Sequence, residues 1–322
     1  MRRKVLLALA ATLAVGAGAA RAADPVFPAK AVRLIAPFAV GGSADLYSRL
    51  LALELAKVWK QPVIVENKAG AGGMLGQQAL LAAPPDGHTM ILVSGSFAMN
   101  PLLNPKLPYA DKDFIPVVKV ASTANALIVP ADSKYRTLKD LLDDARSRPG
   151  ALSYGYSGNG TSPHIAGETF KYLARLDIVP VPYKGNAPVV SDVVANQIPM
   201  GFASVVDIAA FVRGGKMRAL ALASKTRSPQ LPDVPTFEES GVRNFDSAVW
   251  FGVVLAAGTP RAIVDQVNRD VNAILMRPEM RARIEETGSV AEGGTAAEFA
   301  QFVESEKQRV APVVKAASIR AD

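Results

Sequence analysis

Arg33–Asp45 (RLIAPFAVGGSAD) and Leu152–His164 (LSYGYSGNGTSPH) are written in one grammar: a short apolar run, a Gly/Ser loop, then the first turn of a helical pattern. Strand, loop and helix in that order make a βα unit of a largely parallel α/β sheet. The loop of such a unit lies at the carboxyl end of its strand, the edge where open α/β sheets hold ligands. It ends on a helix N-terminus, whose first N–H groups have no intrahelical acceptor and carry the positive end of the peptide dipole. Gly41-Gly42-Ser43 and Ser157-Gly158-Asn159-Gly160-Thr161-Ser162 add glycines for close backbone approach and hydroxyls as rotatable donors. Two such loops facing across a cleft would hold a carboxylate; taken singly, each fits an ordinary tight turn as well. Neither has the spacing of a Walker loop or of a GxGxxG fingerprint.

Outward from these stretches the alternation recurs. Strands are expected at Arg33–Pro37, Val63–Val65, Thr89–Val93, Leu152–Tyr156, Val179–Val181, Met200–Ala203, Arg218–Ala223 and Val249–Ala256. A helix is expected over Ala44–Lys57, with Leu46, Leu50, Leu53 and Ala56 or Lys57 as its buried stripe. Others are expected over Gly73–Ala83, Pro163–Leu173, Pro188–Val194, Val205–Arg213 and Pro260–Met276, the last with Thr259 as cap and Pro260 at its first position. Thr137–Asp140 and Thr295–Glu298 are capping boxes that open two more. Ser94–Pro116, with Pro101, Pro105, Pro108 and Pro116, reads as an ordered loop, and Val117–Ser122 and Ala126–Val129 as extended segments. The Pro-rich Ser228–Pro235 leads back toward the first units. The expected division is therefore a first domain of 23–124 and 232–322 and a second of 125–231.

The chain of 322 residues is 49% hydrophobic and 20% charged, too apolar for a disordered segment and long enough for two domains. It has no cysteine, which excludes disulfide scaffolds, thiolate metal centres and cysteine nucleophiles. His88 and His164 are too few for a multi-histidine metal site, and no cofactor is expected. Residues 1–22 read as a secretory signal: Arg2, Arg3 and Lys4, the uncharged run Val5–Val15, then Ala20-Arg21-Ala22 at the cleavage site. That run covers about half of the roughly twenty helical residues a bilayer core needs. Cleavage takes the formal charge from +7 to +3 by removing Arg2, Arg3, Lys4 and Arg21. No basic cluster interleaved with aromatics remains to bind nucleic acid. The expected product is periplasmic and unanchored.

Single residues leave alternatives open. Asp45, in an opening helical turn, suits the dipole, fixes the loop or accepts from a ligand amine. His164 either reaches the cleft or is a satisfied structural residue. Ser157 misses the GxSxG nucleophile elbow because Asn159 stands at the last glycine, and a Ser157–His164 pair has no identifiable orienting group. That pair is the basis of the alternative reading, a secreted Ser/His hydrolase. Lys184 reads as a solvated or ligand-facing lysine rather than a Schiff-base former.

Arg33–Asp45, Pro62–Gly73 (PVIVENKAGAGG), Ala83–Met90 (APPDGHTM), Leu107–Pro116 (LPYADKDFIP), Ser157–Gly167 (SGNGTSPHIAG), Val181–Pro188 (VPYKGNAP), Lys216–Ala223, Ser228–Thr236 and Trp250–Pro260 together resemble, in order, the Bug family. These are extracytoplasmic solute receptors of tripartite tricarboxylate transporters. The resemblance implies a type II periplasmic-binding-protein fold, α/β, with two domains that close on a small organic anion, usually a carboxylate. It implies membrane transporter subunits as partners, or a sensor kinase in a variant of the role, with no catalysis; a monomer is expected. It implies one jaw from Phe38, Ala39, Gly41, Gly42, Ser43 and Asp45, and another from Ser157, Gly158, Thr161, Ser162 and His164. Ser94 and Ser96 are further donors. The loop after Met200–Ala203 is implied near the distal part of the ligand, here Ala203, Ser204 and Asp207. Many relatives have an acid directly after the phenylalanine of that strand, whereas Phe202 is followed here by Ala203 and Ser204. This departure argues against a ligand ammonium and for an uncharged or second-carboxylate distal end.

Overall fold

The computed structural model describes residues 27–104, 106–245, 247–316 and 319, so the segment read as a signal lies outside the described residues. β1 (Val32–Ala36) pairs in parallel with β2 (Val63–Asn67) on one side and β3 (Thr89–Ser94) on the other. α1 (Ser43–Trp59) connects the first two, and a short 3₁₀ turn with α2 (Met74–Leu81) the next. The stretch expected as loop after β3 contains α3 (Ser96–Leu103), with Pro101 inside it. Burial explains the difference: Phe97, Ala98, Met99 and Leu103 all pack into one core cluster. That apolar face outweighs the bond to the Phe97 carbonyl which a proline cannot make.

β4 is a single strand of 17 residues, Phe114–Pro130, where the sequence suggested two segments. A second set of units follows: α4 (Leu138–Ser147), β5 (Ser153–Tyr156), α5 (Ser162–Ala174), β6 (Val179–Pro182), α6 (Asn186–Val194), β7 (Gly201–Ser204), α7 (Val205–Arg213) and β8 (Met217–Ala223). The chain returns through β9 (Ala248–Ala256), α8 (Arg261–Leu275), α9 (Pro278–Glu285), β10 (Ser289–Gly293) and α10 (Ala296–Ala316). β4 runs through both domains: its first part pairs antiparallel with β9 and β10, and Asn125 onward pairs with β7 and β8. At the junction the buried Asn125 Nδ2 donates to the Ser247 carbonyl at 2.8 Å, tying the outgoing strand to the returning one. In the second domain β5 is parallel to β6 and β7.

Three local expectations need correction. On α1 the buried face is Tyr47, Leu51 and Leu55 with Ala44 and Ala52, while Leu53 is 50% exposed. Tyr47 sets that rotation, because its buried hydroxyl bonds Thr287 Oγ1 at 2.9 Å and Ser289 Oγ at 2.5 Å. The leucine stripe therefore lies one position, about 100°, away from the true one. At α8 Pro260 is the cap and Arg261 the first helical residue, while Thr259 Oγ1 donates to the Ala256 carbonyl at 2.8 Å. The expected Pro260–Met276 helix ends at Leu275, and α9 and β10 follow unannounced. Both capping boxes form as expected: Thr137 with Asp140, and Thr295 with Glu298.

Phe299 of α10 shows how tightly the first domain is packed. Its ring lies against Gly252 of β9, where an added Cβ would sit 2.2 Å from the ring, and meets Trp250 edge-on with centroids 5.7 Å apart. Phe299→Ala is expected to cost about 3–5 kcal/mol in urea unfolding, the usual range for a buried phenylalanine. A loss under about 1 kcal/mol would contradict this packing.

Candidate functional site

A cleft of about 140 Å³ opens where the loops after β1, β3, β5 and β6 meet. After β1 it is lined by Phe38, Ala39, Val40, Gly42, Ser43 and Ala44, and at the end of β3 by Ser94. After β5 come Ser157, Thr161, Ser162 and Pro163, and after β6 the run Lys184 to Pro188. Val249 and Phe251 complete it from alternate positions of β9. The intervening Trp250 turns into the core, its Nε1 donating to Glu306 Oε2 at 3.3 Å. The walls touch beside the cleft: a Cβ at Gly95, just past Ser94, would lie 2.4 Å from Ser162 Oγ. A side chain at position 95 would displace that hydroxyl.

Eight of the sixteen residues read from the sequence thus line the cleft, and several of the others hold the lining in place. Asp45 accepts from the Gly41 N–H at 3.1 Å, from Arg49 Nε at 3.0 Å and from Asn67 Nδ2 at 3.0 Å. Asn67 also donates to the Phe38 carbonyl at 3.1 Å, so both ends of the loop are pinned. Burial alone would raise the Asp45 carboxyl, but the bonds from Arg49, Asn67 and Gly41 outweigh it and hold it below its ordinary value. His164 is buried, its Nδ1 accepting from the Gly160 N–H at 3.1 Å and its ring stacked on Tyr156 at 4.2 Å. It braces the Ser157–Thr161 loop, which includes Gly158. Ser157 Oγ donates to Thr161 Oγ1 at 3.1 Å, and Thr161 Oγ1 to the Gly158 carbonyl at 2.7 Å. Ser96 stands behind Ser94, hydroxyl to hydroxyl at 3.4 Å.

Ala203, Ser204 and Asp207 stand outside the lining. Ala203 is buried in β7 opposite Ala126, and Ser204 is the N-cap residue of α7. Asp207 accepts from Ser204 Oγ and Asn186 Nδ2, both at 2.5 Å, and from Ser43 Oγ at 3.5 Å. It is therefore a strut between two lining residues that belong to different domains. Burial pushes its carboxyl above the ordinary value against these bonds from neutral donors.

The lining residues not anticipated as site residues are Val40, Ala44, Pro163, Val249, Phe251 and, in the β6–α6 turn, Gly185 to Pro188, beside the Lys184 that the sequence left as solvated or ligand-facing. That turn repeats the strand–glycine–helix grammar of the first two loops, so its signal was available in Val181–Pro188. Val249 and Phe251 were hidden in a uniformly apolar strand, where nothing in the sequence tells which face looks outward.

Electrostatically the cleft has one sign. α1, α5 and α6 all begin in its wall, capped by Gly42, Thr161 and Gly185 without a side-chain hydrogen bond. Their first-turn donors are left for another acceptor. Among the described residues the lining carries one charged side chain, Lys184, and no acid. Such a surface suits an anion with an apolar body.

The strut gives a pH test. Asp207 has a native value above its ordinary 3.8, so the wild type binds its proton more tightly when folded and loses that stabilisation as the pH rises through the native value. Asp207→Asn lacks the loss. Its stability relative to wild type is expected to rise between about pH 3 and pH 7 in denaturant titrations; a difference that stays flat or falls would contradict the burial described.

Residues 47–319 match the family model described as tripartite tricarboxylate transporter family receptor. The chain is 31% identical to protein BugT of Bordetella pertussis over 97% of each chain. Among solved structures it resembles Rpa4515 of Rhodopseudomonas palustris with adipate, at 32% identity and a TM-score of 0.87 over 91% of this chain and 99% of that one. It also resembles MatC of the same organism with bound malate, at 30% identity and a TM-score of 0.83 over 89% and 100%. These are substrate-binding proteins, so the Ser157–His164 hydrolase reading falls away, in keeping with a serine bonded to Thr161 and a histidine that braces a loop. With this cleft between two α/β domains, the chain belongs to the Bug family of periplasmic solute-binding receptors of tripartite tricarboxylate transporters.

Proposed function

We propose that this protein captures a small carboxylate in the cleft between its domains and delivers it to the membrane subunits of a tripartite tricarboxylate-type transporter. The observation that carries the reading is the convergence of three uncapped helix N-termini, from both domains, on a cleft without an acid. The adipate and malate held by two relatives support it. In this reading residues 23–124 with 232–322 form one lobe and 125–231 the other, the segment 1–22 directs export, and the receptor works as a monomer.

Three or four charge-assisted hydrogen bonds, each worth about 1.5–3 kcal/mol net, offset the cost of association and closure and leave affinity near the micromolar level. The carboxylate engages both jaws only when they meet, so binding shifts the population toward the closed shape that the membrane partner reads. Donors supplied by backbone and hydroxyl groups rather than by a ring of lysines let the ligand leave when the lobes part.

Gly95 offers the sharpest test of closure. Its helical φ of −48° accepts any residue, so Gly95→Leu acts through bulk, chiefly against Ser162 and next against Trp250. Calorimetry is expected to show carboxylate affinity lowered at least about tenfold, with the melting temperature of the unliganded protein close to wild type. Cells lacking this protein should lose uptake of the same labelled carboxylate and regain it poorly with the variant. Unchanged affinity would refute the two-jaw clamp, and undiminished uptake in the deletion strain would refute the transport role.

A further inference from the structure

Two residues of the cleft wall are turned toward one acid. Ser43, at the start of α1, and Asn186, at the start of α6, both line the cleft. Ser43 Oγ donates to Asp207 Oδ2 at 3.5 Å, Asn186 Nδ2 to the same oxygen at 2.5 Å, and Ser204 Oγ at 2.5 Å completes the set. Ser43 and Asn186 belong to opposite domains, so this carboxyl is enclosed where the domains meet and solvated where they part.

As an anion, Asp207 is poorly provided for. α1 offers it Ser43 and the Tyr47 hydroxyl, α6 Asn186 and β7 Ser204, while β4 and β8 meet α7 with apolar side chains. Among the described residues no charged group acts on it. Tyr47, the other titratable group facing it, commits its hydroxyl to Thr287 and Ser289, and burial and then the charge of Asp207 push that hydroxyl above its ordinary value. The Asp207 side chain keeps a little surface, but protein from both domains packs it in and pushes its carboxyl up.

The Asn186 amide gives a second, independent sign. Its Nδ2 is bonded to Asp207, yet its Oδ1 is buried and without a hydrogen-bond partner among the described residues. Native structures rarely leave such an acceptor unpaired. A carboxylate has no proton to give it. A carboxylic acid has one, and acid and primary amide pair through two hydrogen bonds: amide N–H to acid oxygen, acid O–H to amide oxygen. Turning the amide over relieves nothing, because its oxygen would then face an anionic carboxyl.

We propose that ligand capture is linked to a proton on Asp207: as the domains close, one proton from solvent bonds to this carboxyl and is donated to Asn186 Oδ1, and it returns to solvent when they open. This rests on the capture reading above and assigns its proton linkage. The proton also removes a competitor. Ionised Asp207 holds the Ser43 hydroxyl and the Asn186 N–H, and sets a like charge beside a cleft that receives an anion. The neutral acid releases Ser43 to the ligand. A group that holds its proton more tightly in the closed state favours closure below its open-state value, and that preference is lost as the pH rises through the closed-state one.

Calorimetry on wild type and Asp207→Asn tests the linkage, with adipate, malate, hexanoate and benzoate as probes. Asparagine at this position presents an N–H to Asn186 Oδ1 and an oxygen to its Nδ2, so it copies the protonated acid. Comparing the two proteins at each pH cancels the titration of the probe and of His164, which both retain. The variant is expected to approach wild type near pH 5 and to bind at least about threefold tighter near pH 8, equivalent to about half a pKa unit of linkage. Wild type in phosphate and in Bis-Tris, at the pH where its affinity changes most, should show net proton uptake that the variant lacks. Infrared difference spectra of wild type with and without benzoate, at about pH 5.5 where the probe is largely ionised, should show a neutral carboxylic acid gained on binding. A wild-type-to-variant affinity ratio that stays constant overturns the inference and leaves the capture reading intact, since a strut that merely holds the walls is lost equally at every pH. Absence of the acid band overturns it too, whatever the variant does. If no probe binds, the capture reading fails and the inference with it.

Discussion

An uncapped helix N-terminus inside a protein is an unmet electrostatic demand, and this molecule has three of them opening on one cleft. Two helices elsewhere meet the same demand with their own side chains, Thr137 and Asp140 at α4 and Thr295 and Glu298 at α10, while α2, α3, α7, α8 and α9 also lack a side-chain cap but do not begin in the cleft wall. Gly42 and Gly185 have no side chain to offer, and the Thr161 hydroxyl is turned onto the Gly158 carbonyl. The acid nearest in sequence to the first of these termini, Asp45, faces back onto its loop and Arg49. Asp45 and Asp207 are both engaged outside the lining, and among the described residues no acid lines the cleft, so the donors there are left for an anion from solution.

The rest of the fold makes that arrangement conditional on the position of two domains. Donors of α1 belong to one domain and those of α5 and α6 to the other, and the domains share the continuous strand β4, tied at Asn125 to the returning chain. Two packed domains joined by a crossover strand form the arrangement in which hinge closure around a ligand occurs. At the seam, Gly95 against Ser162 and Asp207 between Ser43 and Asn186 are contacts that join the two domains beside the cleft. Asp207 is thus a structural counterpart of the ligand: an internal carboxylate bridging both domains beside the place an external one would occupy.

Much of this was legible in the sequence, because the strand–glycine–helix grammar names both the fold and the edge where ligands gather. The two quoted loops supplied Gly42, Ser43, Ser157, Thr161 and Ser162, and the family resemblance added Phe38 and Ala39. What escaped notice depended on rotation and long-range packing. Tyr47 outcompeted a run of leucines for the inner face of α1 through two hydroxyl partners that come from residues 287 and 289. Pro101 disguised α3 as a loop although its neighbours are core residues. Val249 and Phe251 reach the cleft because β9 turns Trp250 the other way. Asp45, His164 and Asp207, read as ligand contacts, have side chains that brace the walls instead of lining them.

The central claim is that a single carboxylate satisfies the helix N-termini of both domains at once. A crystal structure with the tightest-binding carboxylate tests it most directly. The account predicts carboxylate oxygens at hydrogen-bond distance, about 2.7–3.1 Å, from first-turn donors of α1 and of α5, directly or through one ordered water, with the apolar body against Phe38 and Phe251. A ligand held by one domain only, or bound away from these N-termini, would contradict it.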